Sequence, residues 1–173
     1  MIFMHYAKIN KFDIANGPGV RVSLFVSGCR LHCPGCFNKE AWNFNYGKKF
    51  TYETLQELMT ALDNPNVTGL SILGGDPLEP ENVATVEYIC RYVRRFRPDR
   101  DIWLWTGRMY EDVKDLPLMW DVDVVVDGPF IEAEKDLRLA WRGSANQRVI
   151  DVAESRRRSC AIRYPYEKHG SGV

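Results

Sequence analysis

Features that would place a protein outside the ordinary globular class are missing from this sequence. Its 173 residues carry 23 basic and 23 acidic side chains, so there is no excess positive charge for binding nucleic-acid phosphates. The apolar runs, such as residues 24–26 and 124–126, are far shorter than the ~20 residues that cross a bilayer. Residues 1–6 lack the charged start and long apolar run of a secretory signal. The sequence therefore predicts a cytoplasmic protein that binds neither nucleic acid nor membranes.

The number and spacing of the cysteines argue against a disulfide framework. The chain has five cysteines, an odd number, whereas small secreted disulfide proteins usually carry an even number. Cys29, Cys33 and Cys36 lie close together, while Cys90 and Cys160 are distant from them. Cys90 falls on the apolar stripe of a predicted helix and is interpreted as a core residue. Cys160 is interpreted as an ordinary tail residue, although a fourth thiolate or a reactive thiol stays open.

The three clustered cysteines are typical of a metal centre. Ordinary iron–sulfur carriers use four cysteines, and structural zinc sites close with four ligands. Three thiolates on a four-iron cluster would leave one iron open to a Lewis-basic ligand. His32 lies inside the loop and could complete a zinc site, although its neighbour Cys33 makes simultaneous ligation awkward. A zinc site, or no metal at all, remains an alternative on spacing alone.

Strand-like and helix-like segments alternate along the chain. The predicted strands are residues 20–27, 67–73, 102–105 and 122–126, with a further one at 147–152. The predicted helices follow Thr51, run through residues 86–93 and cover residues 110–115. Strands separated by helices favour an α/β fold with a mostly parallel sheet. We predict an open, partial βα barrel of five or six strands in one domain, residues 1–155, followed by a tail, residues 156–173, of unknown order.

Several loops that follow predicted strands contain residues suited to ligand binding. The cysteine loop, Gly74-Gly75-Asp76-Pro77, Thr106-Gly107 and Asp127-Gly128 all come directly after strands. Because the carboxyl ends of parallel strands build the active sites of such sheets, these loops should meet on one face. The glycines would permit close backbone approach, and Asp76 would offer a carboxylate to an ammonium group. Alone, this Gly-Gly-Asp-Pro stretch is an ordinary turn.

The motifs together resemble a known family. Three cysteines followed by a Gly-Gly-Asp-Pro strand end are similar to the radical S-adenosylmethionine superfamily. Within it, the chain resembles the family of anaerobic ribonucleoside-triphosphate reductase-activating proteins, which are glycyl-radical-enzyme activating enzymes. The motifs that carry this resemblance are residues 13–21 (DIANGPGVR), 33–39 (CPGCFNK), 74–78 (GGDPL), 102–107 (IWLWTG) and 141–148 (WRGSANQR).

The resemblance implies a [4Fe–4S] cluster held by Cys29, Cys33 and Cys36, with S-adenosylmethionine bound at its open iron. The residues implied for that cofactor are Gly35, Cys36, Phe37 and Asn38 beside it, and Gly74, Gly75 and Asp76 at its amino group. Reductive cleavage there would give a 5′-deoxyadenosyl radical, which forms a glycyl radical on the large subunit of an anaerobic (class III) ribonucleotide reductase. An electron donor such as flavodoxin or ferredoxin is implied as a second partner.

Some roles stay open at the level of sequence. Thr106 and Asp127 could hold the ribose, the methionine or a cation, or could only cap loops. Arg142, Asn146 and Gln147 could orient the cofactor, meet the partner or act structurally. Other glycyl-radical activases and small-molecule radical enzymes of the superfamily remain alternatives, as does an electron carrier or zinc module outside it.

Overall fold

The computed structural model describes residues 4–165, and in this range eight strands form a single mixed sheet. The strands are β1 (His5–Asp13), β2 (Val20–Val26), β3 (Lys48–Lys49), β4 (Val67–Gly74), β5 (Asp101–Trp105), β6 (Val124–Asp127), β7 (Arg148–Asp151) and β8 (Ile162–Arg163). The helices are α1 (Tyr52–Leu62), α2 (Pro80–Phe96), α3 (Tyr110–Val113) and α4 (Val152–Arg158). Short 3-10 turns cover Lys39–Trp42, Pro117–Trp120 and Glu132–Glu134.

The sheet has a parallel centre and antiparallel edges. Its spatial order is β3-β1-β2-β4-β5-β6-β7-β8. β2, β4, β5 and β6 run parallel, whereas β1 and β3 on one side and β7 and β8 on the other pair antiparallel. The α/β class is confirmed. The prediction of five or six mostly parallel strands is wrong in number and in composition, because eight strands are described and four of their seven pairings are antiparallel.

The strands that sequence reasoning missed lack the expected pattern. Only two of the nine residues of β1 are buried, and the strand is rich in polar residues, so it shows no apolar run. β3 and β8 have two residues each, which is too short for any periodicity. β7 was expected as a strand, and it is antiparallel to β6 because the chain between them contains only a 3-10 turn and loops. A parallel pairing would need a crossover connection, usually through a helix.

The two long helices form where the apolar periodicity predicts them. Thr51 caps α1, because its hydroxyl accepts a hydrogen bond from the Thr54 amide at 3.3 Å. Pro80 lies in the first turn of α2, where a missing N–H costs nothing. Ile89 and Cys90 of α2 are both fully buried. The prediction that Cys90 is a core residue is therefore confirmed.

Alternate residues of each strand face opposite sides of the sheet. On the side that we call the outer face, strand residues such as Leu24 and Ile72 join side chains from all four helices in one large aliphatic core. The side that we call the inner face carries a smaller cluster around Trp103, Val124, Val126 and Val149. Loops rather than helices cover the inner face. The fold thus leaves one side of the sheet for a site.

The predicted boundary between domain and tail, at residues 155 and 156, falls inside α4. Beyond α4, the ring of Tyr164 lies edge-on to Trp103 at 5.1 Å between centroids, so the chain up to residue 165 packs against the inner face. Residues 166–173 of the predicted tail lie outside the described residues. Within residues 4–165, none of the helices combines the length and the apolar character needed to cross a membrane.

Candidate functional site

A cavity of about 370 Å³ lies over the inner face, at the carboxyl ends of the parallel strands. This volume lies in the usual range of ligand pockets. The loops after β2, β4, β5 and β6 all contribute to its wall, and Phe25, Leu73 and Trp105 add apolar surface from the strands themselves. The four loops that were predicted to meet on one face do so.

The three clustered cysteines all border this cavity. Cys29 is buried, whereas Cys33 and Cys36 are partly exposed. The amide of Cys36 donates to the carbonyl of Cys33 at 3.1 Å, and Gly35 between them has a φ of +74°, a left-handed conformation that suits glycine. Cys90 lies in the outer core and Cys160 is exposed beyond α4. All three predicted ligands therefore border one cavity, and the other two cysteines lie apart from it.

The chemistry of this donor set fits a cluster with an open iron. Three thiols and backbone glycines surround one cavity, so a cluster held by the thiols would still have space beside it for a second group. Burial raises the pKa of the Cys29 thiol, because desolvation disfavours the thiolate. A bound cation reverses that preference, since coordination removes the thiol proton. Within residues 4–165, no three cysteine, histidine, aspartate or glutamate side chains are grouped as ligands of a single metal ion.

The Gly74-Gly75 turn lies directly against the start of the cysteine loop. The amide of Gly75 donates to the carbonyl of Val26 at 2.7 Å, and the amide of Asp76 donates to that of Gly28 at 2.8 Å. A Cβ atom on Gly75 would lie 2.4 Å from the Gly28 carbonyl oxygen. No side chain fits at this contact. Glycine here lets two cavity loops meet backbone to backbone.

Asp76 lies behind the cavity wall rather than in it. Its carboxylate accepts the Thr106 hydroxyl at 3.0 Å, the Gly107 amide at 3.1 Å and the Leu78 amide at 2.8 Å, and the residue is fully buried. Burial raises the pKa of this carboxyl, although these donors oppose the shift. In this structure Asp76 joins the turn after β4 to the end of β5. Its role at a ligand's amino group stays a prediction.

Thr106 and Asp127 occupy different places. Thr106 borders the cavity, but its hydroxyl is engaged by Asp76. Asp127 is fully buried away from the wall, where it accepts the Tyr110 amide at 2.8 Å and Arg148 Nε at 3.1 Å. These contacts describe a structural group that joins β6, β7 and α3. The arrangement favours the loop-capping alternative for Asp127.

The segment 141–148 forms one side of the cavity. Arg142 and Gln147 line it, and Arg142 Nη1 donates to the Gln147 carbonyl at 2.7 Å. The Gln147 side chain accepts the Gly143 amide at 2.8 Å and donates to the Gly128 carbonyl at 3.0 Å. Asn146 does not line the cavity, and its amide group donates to the Pro129 carbonyl at 2.8 Å. This segment therefore stabilises the loop after β6.

Of the residues predicted to lie beside the cofactor, some border the cavity and others lie behind its wall. Phe37 and Asn38 border the cavity, and Phe37 is 94% exposed, an unusual state for a large apolar ring. Gly35 is outside the wall, and a Cβ atom there would lie 2.6 Å from the Glu132 carboxyl carbon. Sequence reasoning missed Asn16, which also borders the cavity. The signal was its place inside the motif of residues 13–21.

Comparison with known proteins indicates the class that the cysteine spacing suggests, a protein with one iron–sulfur cluster. The family model described as a 4Fe-4S single cluster domain matches residues 15–150, the range from the loop after β1 to β7. This range contains the cavity wall and all three clustered cysteines.

Curated relatives of this chain identify the family within that class. Anaerobic ribonucleoside-triphosphate reductase-activating proteins of Enterobacteria phage T4, Vibrio cholerae and Escherichia coli K12 are 44%, 41% and 40% identical to this chain. The matches span 84%, 83% and 84% of this chain and 93%, 96% and 97% of the respective relatives. The chain belongs to the family of anaerobic ribonucleoside-triphosphate reductase-activating proteins, as the sequence motifs predicted.

Proposed function

We propose that this protein activates an anaerobic (class III) ribonucleoside-triphosphate reductase by forming a glycyl radical on its large subunit. The observation that carries the proposal is the meeting of Cys29, Cys33 and Cys36 with the Gly74-Gly75 turn around one cavity. The 40–44% identity to proteins named as activators of that reductase gives the target. A radical activase needs a ligand-accessible iron, and three thiolates on a four-iron cluster leave one.

Different cavity residues would bind the cluster and S-adenosylmethionine. Cys29, Cys33 and Cys36 would hold the [4Fe–4S] cluster, and Gly75 with Phe37 would lie against S-adenosylmethionine. When bound, cluster and cofactor together supply the reductive cleavage that yields a 5′-deoxyadenosyl radical, which takes a hydrogen atom from a backbone glycine of the reductase. The protein's own residues bind, orient and exclude water, as is usual when a cofactor supplies the difficult chemistry.

The form of the sheet supports a reaction at an open edge. Helices pack on the outer face, whereas loops border the cavity on the inner face. This layout is compatible with the open, partial βα barrel that the resemblance implies, in which a loop of a second protein could reach the cofactor. We infer that the reductase glycine enters beside the exposed ring of Phe37. A small electron-transfer protein such as flavodoxin or ferredoxin would reduce the cluster in the cytoplasm.

The proposal is tested with the anaerobically reconstituted protein, reductant, S-adenosylmethionine and the reductase. We expect 5′-deoxyadenosine and a glycyl-radical signal in electron paramagnetic resonance (EPR) to appear together. Cys33→Ala should lose iron and both products, whereas the matched control Cys90→Ala, in the outer core, should retain its cluster and both products. Full iron retention in Cys33→Ala would refute the ligand assignment.

Other outcomes point to the alternatives. Deoxyadenosine without a protein radical would keep the cofactor chemistry and move the reaction to another protein or to a small substrate. A cluster-loaded protein that gives neither product would be an electron carrier. A protein that binds zinc in place of iron would exclude the cluster.

A further inference from the structure

We infer that Glu79 is a positioning residue whose buried carboxylate fixes the path of the chain between Cys29 and Cys33. The inference rests on the proposed function, because it takes these cysteines as cluster ligands. It goes beyond that function in naming a residue outside the cavity wall as the group that keeps the cysteine loop in a binding-competent shape.

The contacts of Glu79 reach the cysteine loop directly. Glu79 is 1% exposed and precedes α2. Its carboxylate accepts the backbone amide of Arg30 at 2.8 Å and Arg30 Nη1 at 2.9 Å. Arg30 follows Cys29, so this pair of bonds holds both the main chain and the side chain of the residue next to a ligand.

A second arginine extends the contact to another loop. Arg108 Nη2 lies 3.6 Å from the Glu79 carboxylate, and Arg108 follows the Thr106-Gly107 pair that borders the cavity. One carboxylate therefore joins the loops after β2, β4 and β5. Buried carboxylates are retained in proteins where cations and hydrogen-bond donors compensate them, and here two guanidinium groups and an amide do so.

The cysteine loop has a conformation that needs such support. His32, between the first two cysteines, has a φ of +47°, which a residue with a side chain rarely adopts without outside restraint. Its ring stacks on Trp42 at 4.3 Å between centroids. The guanidinium of Arg30 lies over the Phe44 ring at 4.4 Å. Ligand groups act only when their supporting contacts hold them within about 0.5 Å, so a loop turned in this way depends on its anchors.

The chain offers a matched control in Glu81. This carboxylate also pairs with Arg30, but it is part of an exposed pair and contacts only the guanidinium group. A variant of Glu81 therefore removes a negative charge from the same arginine while leaving the Arg30 amide bonded to Glu79. Comparing variants of Glu79 and Glu81 therefore distinguishes the loss of the main-chain hydrogen bond from the loss of a surface ion pair.

The experiment measures the rate at which the reconstituted full-length protein loses iron to a chelator, together with the EPR spectrum of the reduced cluster. We expect Glu79→Leu to lose iron about tenfold faster than the wild type, the usual scale for a supporting group of a metal ligand. Glu79→Gln keeps an acceptor for the Arg30 amide and should rescue most of this loss, with an altered EPR line shape. Glu81→Gln should retain the wild-type rate and spectrum.

Two results would overturn the inference. One is a wild-type rate and spectrum in both Glu79 variants, and the other is an equal effect of Glu81→Gln. If Glu79→Leu fails to fold, as its thermal melting would show, the line shape of Glu79→Gln alone decides. Failure of the proposed function is read separately, from the absence of S-adenosylmethionine cleavage by a wild-type protein that does load its cluster.

Discussion

The two faces of the sheet are built from the same strands but differ in the side chains that they carry and in what covers them. On the outer face, Leu24, Ile72 and their neighbours pack against helices in one continuous aliphatic core. On the inner face, the same strands carry Arg21, Ser71 and Trp103, and their ends turn into glycine loops around a cavity. The aliphatic core lies on one side of the sheet and the candidate site on the other.

The two faces should respond to different kinds of substitution. A close-packed aliphatic core responds to lost volume, because its surroundings relax only partly. A polar face with buried charges responds to lost partners, since an unpaired buried group is costly. The two faces can therefore be tested independently, with apoprotein stability as the readout for the first and with stability and cluster loading together for the second.

The largest expected effect is on the outer face. Ile89 is fully buried in the middle of α2, so Ile89→Ala should lower the free energy of unfolding by about 3–4 kcal/mol. Urea denaturation of the apoprotein measures this loss. The matched control is Tyr88→Ala, one residue away and 44% exposed, which should cost about 1 kcal/mol or less. A small loss in Ile89→Ala would show that the core tolerates a cavity, and the comparison of faces would then fail.

The outer face was also the part that the sequence predicted best. The apolar stripes of α1 and α2 repeat at helical spacing, and this spacing alone places Leu55 and Ile89 in the core. What could not be predicted is the number of strands, because β1 is mostly polar and β3 and β8 have two residues each. Pairing at a sheet edge depends on neighbours that lie far away in the sequence, and no local pattern records it.

A change on the inner face should have an intermediate effect. Arg21 is fully buried, with Nε 2.6 Å from the Ser71 hydroxyl and Nη1 2.8 Å from Asp101, and Ser71 in turn donates to the carbonyl of Asn16 at 2.6 Å. Arg21→Met keeps much of the volume but removes the guanidinium bonds to Ser71 and Asp101. Because Asp101 is partly exposed, we expect a loss of about 2 kcal/mol, less than for Ile89→Ala.

The control for this change lies on the exposed side of α2. Arg91 pairs with Glu87 at the surface, so Arg91→Met should alter the free energy of unfolding by about 0.5 kcal/mol or less. Equal effects of Arg21→Met and Arg91→Met in urea denaturation would contradict a structural role for the buried arginine. The Arg21 variant should also load its cluster less completely, because the Asn16 segment borders the cavity.

The candidate ligands could be proposed from the sequence, but the contacts that support them could not. The spacing of Cys29, Cys33 and Cys36 is visible in the sequence, as is the Gly-Gly turn. The contacts of Glu79 and Asp76 are not, since each joins loops that are far apart in the chain. A carboxylate in a sequence looks the same whether it faces a ligand or holds the loop behind it. Only the three-dimensional arrangement separates these roles.

The smallest expected effect on stability comes from Asp76→Asn. The pKa of Asp76 is raised above its usual 3.8, mainly by burial, so the charged form opposes folding at neutral pH. Asparagine carries no buried charge, but its single oxygen can accept only one of the Leu78 and Gly107 amides, which bond to different oxygens of Asp76. Because the relieved charge and the lost bond oppose each other, we expect its free energy of unfolding at pH 7 to lie within about 1 kcal/mol of the wild-type value.

The pH dependence of the two proteins tests whether the buried charge opposes folding. Above the folded-state pKa, the wild type carries the full penalty of the buried carboxylate. The penalty decreases as the pH falls through that pKa and is gone below 3.8, where the carboxyl is protonated in both states. Urea denaturation of both proteins at pH 7 and at about pH 4.5 should therefore show the wild type gaining relative to Asp76→Asn on acidification. If the wild type instead loses stability relative to Asp76→Asn on acidification, the charged carboxylate stabilises the fold, through Arg108. Burial of Asp76 would then carry no cost in folding free energy.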